Sequence, residues 1–182
     1  MATFGNETVT TAQWSIEDVI RGGIFTTGDE YTQLQADSIS AYLYDTASVA
    51  RKAALYDSSK NLVGGTEEVT SQGSPSWIVF SFEDPKPILD PSTNYYIVVW
   101  CGYVTGTHTL RYDSNGAVND YYMATAYGSW PETLNTTASP AWTPGIYCTY
   151  SEYVEEKPLT FSGSGKLNFI GGNKELVFTT LE

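Results

Sequence analysis

Period-two alternation of apolar and polar residues restricts this chain more than any other feature. In SISAYLYD, residues 38–45, Ile39, Ala41 and Leu43 fall on one side, with Ser40, Tyr42 and Tyr44 on the other. An extended backbone points successive side chains to opposite faces, whereas a helix would scatter these residues around its circumference. SWIVFSFED, residues 76–84, repeats the pattern, with Ile78, Phe80 and Phe82 opposite Trp77 and Val79. NYYIVVWCGY, residues 94–103, is apolar on both faces, which suits a central strand covered on both sides. Shorter runs of the same kind are separated by turn formers: Ser58-Ser59-Lys60-Asn61, Gly64-Gly65, Asp90-Pro91, Asn115-Gly116 and Pro144-Gly145. About ten short strands so punctuated predict an all-β fold, a jelly-roll-like antiparallel β-sandwich. One stretch, AQWSIEDVIR, clusters Trp14, Val19 and Ile20 at helical spacing and reads as a short helix or a long first loop.

The sandwich is expected to occupy residues 1–153. From 154 onward, acidic residues and a proline precede three pairs, Leu159/Phe161, Leu167/Phe169 and Leu176/Phe178, set between glycine turns. A three-stranded meander of that size is barely stable alone, so 154–182 reads as a β appendage on the sandwich edge or the start of a neighbouring module. Met1-Ala2 and Leu181-Glu182 read as remnants of cloning, and adjacent domains of a larger parent chain are expected beside this one.

The 21 acidic residues against nine Lys and Arg leave a net charge of −12. That field repels polyanions, so nucleic acid is not expected as a partner, while neutral ligands and cations such as Ca²⁺ suit it. No run reaches the roughly twenty apolar residues that span a bilayer, so membrane insertion is not expected. Cys101 and Cys148 lie on separate predicted strands. Bridged, they would stabilise the fold by about 4 kcal/mol; unbridged, they are small buried hydrophobes.

Several segments together resemble a known family. TFGNETV, KAALYDSSKNLV at 52–63, WIVFSFEDPKPILDPSTNYYIVVW at 77–100, and AYGSWPE followed by GIYCTY look like one pattern. It is similar to the jelly-roll-like β-sandwich accessory domains of secreted multidomain proteins from bacteria, archaea and their viruses. Such domains accompany carbohydrate-active enzymes or stand in surface and tail-fibre proteins, and many behave as carbohydrate-binding modules. The resemblance covers residues 4–153 and implies an extracellular place, or one on a particle or cell surface. It supplies no sugar-recognition motif, so the ligand residues come from the chain itself.

Catalysis finds little footing. His108, the single histidine, shares a predicted strand face with Tyr112, a pairing that polysaccharide lyases on similar scaffolds use for proton transfer. A lone strand histidine is more often a packing residue, and carboxylates such as Asp57, Asp84 and Asp90 sit in turns. The chain therefore reads as a binding domain and not an enzyme, with a small lyase or hydrolase as the lesser reading. For metal, DSNGAVND, residues 113–120, offers Asp113, Asn115 and Asp120 as oxygen ligands for a structural Ca²⁺, or an ordinary hairpin turn.

The chain's abundance of aromatics, 14 Tyr and five Trp, points to saccharide. A pyranose offers an apolar C–H face rimmed by hydroxyls, so it is held by exposed rings with polar side chains beside them. In NDYYMATAY, Tyr121, Met123 and Tyr127 are expected inside, which leaves Tyr122 outward beside Asp120. Trp130 precedes Pro131, and Trp142 stands between Pro140 and Pro144, where fixed loops can present an indole. Trp77 and Trp100 read as core or near-core, and Trp14 stays undecided. The expected platform is Trp142, Trp130 and Tyr122, with Asp113, Asn115, Asp120 and Arg111 as polar contacts to a polysaccharide. The competing reading is a structural or assembly domain of a viral fibre or cell-surface protein.

Overall fold

A computed structural model describes residues 1–8, 11–114, 120–138 and 142–155. Among them every regular element is a strand: β1 (Ala2–Gly5), β2 (Gln13–Ser15), β3 (Val19–Thr26), β4 (Leu34–Tyr56), β5 (Leu62–Gly65), β6 (Val69–Ser81), β7 (Ile88–Leu89), β8 (Asn94–Cys101), β9 (His108–Asp113), β10 (Asp120–Ala124), β11 (Thr137–Ala138), β12 (Thr143–Pro144) and β13 (Ile146–Glu152). The order is β1-β13-β4-β8-β3-β10-β11; β5, β6, β7 and β9 also pair with β4, while β2 and β12 pair with β9. Every ladder between these strands is antiparallel. The fold is all-β and antiparallel, consistent with a β-sandwich. The expected helix over AQWSIEDVIR is instead β2 and the start of β3: Trp14 pairs with Leu110, and Ile20 with Trp100, so long-range ladders override the local spacing.

The 23-residue β4 organises the rest. Its first half lies between β13 (Ile39↔Cys148) and β6 (Ile39↔Phe80). The β6 register then breaks between Leu43 and Asp45, and again between Asp45 and Val49. Such irregularities bend a strand and raise its twist. Beyond them, β4 takes β8 as a neighbour, with Ala53 opposite Val99. One strand thus serves two parts of the sheet, joined at residues 45–49.

Alternation along β8 sorts the interior. Ile97, Val99 and Cys101 enter a cluster with Ile39, Leu43, Phe80, Leu110, Ile146 and Cys148. Tyr96, Val98 and Trp100 point the other way, into a cluster with Ile20, Tyr56 and Leu134. Each fully buried Leu, Ile or Phe contributes about 1.5–3 kcal/mol of hydrophobic stabilisation. Tyr121, Met123 and Tyr127 pack against the second cluster, as expected of their strand face. Both cysteines are buried free thiols. Trp77, expected in or near the core, is half-buried on the opposite face, edge-on to Tyr42 and Tyr147 at 5.3 and 4.9 Å. Its neighbours Ile78 and Phe80 take the inward positions. The expected appendage at 154–182 lies outside the described residues from 156 onward.

Candidate aromatic binding site

Strands β2 and β12 flank β9, and their registers place Trp14 opposite Leu110 and Pro144 opposite Tyr112. Three half-buried aromatics consequently meet. Tyr112 stacks on Trp14 with centroids 3.6 Å apart and planes 18° apart, and on Trp142 at 5.0 Å and 21°. Trp14 and Trp142 complete the triangle at 4.9 Å. Each aromatic pair is worth about 0.5–1.5 kcal/mol beyond burial, which holds the rings as one rigid group.

Strands β3 and β10 add a polar brace. Arg21 lies opposite Tyr122 in register, and Asp120 two positions away shares their face. Arg21 donates from Nε to Asp120 Oδ1 at 3.1 Å and from Nη2 to Oδ2 at 2.8 Å, a bidentate pair. The same guanidinium stands 3.7 Å from the Trp14 ring centroid and 5.6 Å from that of Tyr122. Such cation–π contacts are worth about 0.5–2 kcal/mol. Arg21 therefore ties Trp14 to Tyr122, and Tyr122 ends the row with 37% of its surface exposed.

The expected site residues fare differently. Tyr122 and Trp142 belong to this aromatic group. Asp120 is fully buried with both oxygens on Arg21, so it positions that side chain and cannot reach a ligand. Asp113, half-buried at the end of β9, pairs in register with Thr143 next to Trp142. Asn115 lies outside the described residues. Arg111 alternates away from Tyr112, pairs with Gln13 and donates to the Thr11 carbonyl, so it braces the β2 approach and not the rings.

Trp130 sits elsewhere, packed on the second cluster against Trp100 at 5.2 Å and Tyr56 at 6.3 Å. Lys52 Nζ hovers 4.8–5.0 Å from the Trp100, Tyr127 and Trp130 rings and donates to the Gly128 carbonyl. Burial holds that ammonium below its ordinary value, with Glu68 opposing. These contacts pin the 125–131 loop to the sheet, which makes Trp130 a packing residue.

Trp14, Tyr112 and Arg21 were not on the expected platform. Trp14 and Tyr112 lie some hundred residues apart, and only the β2–β9 ladder unites them. His108 and Tyr112 form no proton-transfer pair open to substrate: His108 is fully buried with both ring nitrogens engaged, at 3.0 Å from Asp45 Oδ1 and 3.1 Å from the Val104 carbonyl.

Among known proteins, no family model, curated protein or solved structure matches the chain.

Proposed function

We propose that the protein is a non-catalytic carbohydrate-binding domain that holds a neutral polysaccharide against Tyr122 and Trp142. The observation that carries this reading is the clamped aromatic row, Trp142–Tyr112–Trp14–Arg21–Tyr122, whose last ring lies open to solvent. Trp14 is covered on Tyr112 and Arg21 sides, so it supports the row, and sugar contact falls to Tyr122 and Trp142. A rigid ring binds with little entropy left to lose, and stacking contributes roughly 1–3 kcal/mol per ring by analogy with base stacking. Two rings with a few hydrogen bonds leave micromolar to millimolar affinity after association costs. The net charge of −12 disfavours acidic glycans, which selects neutral ones. The resemblance of residues 4–153 to accessory domains of secreted and viral proteins agrees with such a role beside neighbouring domains at a surface. A Ca²⁺ ion held by the 113–120 segment would rest on residues other than Asp120, whose two oxygens Arg21 occupies.

Glycan arrays and affinity electrophoresis, each with and without Ca²⁺, test this reading. Y122A and W142A should lose retention of the neutral glycan that the parent protein holds, while their circular dichroism stays native. Retention untouched in the double variant removes the platform.

A second reading, an assembly domain of a fibre or surface protein, draws on the opposite face. Tyr42, Trp77 and Tyr147 group there, Val79 is 55% exposed, and β6 pairs with β4 alone among the described strands. Concentration-dependent sedimentation abolished by changes on that face, without glycan binding, would favour it.

A further inference from the structure

The bend in β4 gathers a second group of side chains that the aromatic row does not use. Asp45 lies directly opposite His108 on β9, and Arg51 directly opposite Cys101 at the end of β8. Positions 45 and 51 would stand far apart on a straight strand. The register break between Asp45 and Val49 lets the two cross-strand pairs meet. Arg51 Nη1 lies 2.6 Å from Asp45 Oδ2, and His108 Nδ1 lies 3.0 Å from Asp45 Oδ1. The Asp45, Cys101 and His108 donor atoms all fall within 4.8 Å of one another. All four residues are buried.

Both ring nitrogens of His108 face oxygen acceptors, Nε2 the Val104 carbonyl at 3.1 Å and Nδ1 the Asp45 Oδ1 at 3.0 Å. A neutral imidazole has one N–H to donate, so one of these contacts sets a lone pair against an oxygen, and a proton or a metal ion between them relieves it.

We propose that Asp45, Cys101 and His108 form a structural site for a borderline-soft divalent transition ion, of which Zn²⁺ is the natural occupant. Carboxylate, imidazole and thiolate are the ligand types such ions favour, and tetrahedral zinc sets neighbouring ligand atoms about 3.4–3.7 Å apart. The surroundings already resemble those of metal ligands. The Val104 carbonyl oxygen stands 3.1 Å from the other imidazole nitrogen, and Arg51 engages the carboxylate oxygen that faces away from His108. A backbone oxygen or a water completes the coordination.

Binding Zn²⁺ displaces the Cys101 thiol proton and any proton on the imidazole nitrogen that turns to the metal, while Arg51 keeps its contact with Asp45 Oδ2. Magnesium and calcium, which prefer oxygen alone, should bind poorly.

The test uses the purified chain, dialysed against chelator and reloaded with ZnCl₂ or CoCl₂. The expected result is about one zinc retained per chain through further dialysis, a raised thermal midpoint, and no such effect from MgCl₂ or CaCl₂. Cobalt should give a thiolate-to-metal absorption band that C148S keeps and C101S loses. Calorimetry in buffers of different ionisation enthalpy should report net proton release as zinc binds. Should C101S fail to fold, the cobalt spectrum of the parent protein still decides. Retained metal near zero, or cobalt without a thiolate band, overturns the proposal and leaves a buried hydrogen-bonded network.

Discussion

Removing the carboxylate of Asp120 is the sharpest test of how the aromatic row is held. Asp120 is fully buried, and its two bonds to Arg21 measure 3.1 and 2.8 Å. Taking one partner from a buried ion pair usually costs about 3–5 kcal/mol, because the other charge is left without compensation. Arg21, however, keeps 12% of its side chain in solvent, so part of its charge can be rehydrated. The expected loss for D120A is therefore near the lower limit, about 3 kcal/mol. For a domain of this size that corresponds to a fall of about 6–12 °C in thermal midpoint. Urea denaturation gives the free energy directly, and a double-mutant cycle with R21M isolates the pair. Coupling of about 2 kcal/mol is expected, with R21M nearly neutral once Asp120 is gone. Arg21 also loses its fixed place between Trp14 and Tyr122, so glycan retention should weaken at temperatures where D120A remains folded. A loss below about 1 kcal/mol, or additivity within about 0.5 kcal/mol, would refute the idea that this pair braces the rings.

Three further outcomes follow from the packing. In F80A, a fully buried ring of the first cluster disappears, and denaturant titration should show a loss of about 3–5 kcal/mol. G22A should be at least as damaging, because the new methyl would overlap the Ile97 carbonyl oxygen and lie 2.7 Å from Val98 Cα; the paired backbone of β8 cannot yield, and poor soluble expression with a depressed midpoint is the readout. The third concerns alkaline pH. Burial, then the hydrogen bond to Glu30 at 2.5 Å, raise Tyr150 from 10.0 to about 12. The folded state thus holds this phenolic proton more tightly than the unfolded chain. Its contribution is complete below pH 10.0, the ordinary value, and is lost as pH rises through about 12. Tyrosinate absorbance followed beside circular dichroism should show Tyr150 ionising as the fold fails, and Y150F should lose that step. Phenolate at the ordinary value in an intact fold would count against it.

The strands were legible because their signal is local. Ile39, Ala41 and Leu43 alternate within one short segment, and the two-faced burial of 95–101 follows from its unbroken apolar run. Tyr122 turned outward and Met123 inward for the same reason. Trp130 was harder: a Trp-Pro loop looks alike whether the indole faces water or folds back over Trp100, and only the position of Lys52 and the 125–131 loop separates the two. AQWSIEDVIR misled because a ten-residue window contains both a helical and an extended reading, and ladders to Leu110 and Trp100 choose between them.

The linear chain by itself determined an all-β antiparallel fold, its acidic field and the inward faces of the strands at 38–45 and 76–84, since each depends on side-chain spacing or charge count; the Gly64-Gly65 pair, expected as a turn, is instead the end of β5, paired with Leu55 and Ala54. Tertiary structure alone decided which distant residues touch. Arg21 found Asp120, Trp14 found Tyr112, and a bend in one long strand carried Asp45 and Arg51 to His108 and Cys101. Those meetings depend on ladder register and strand curvature, which emerge from the balance of the whole sheet and leave no mark in any single segment.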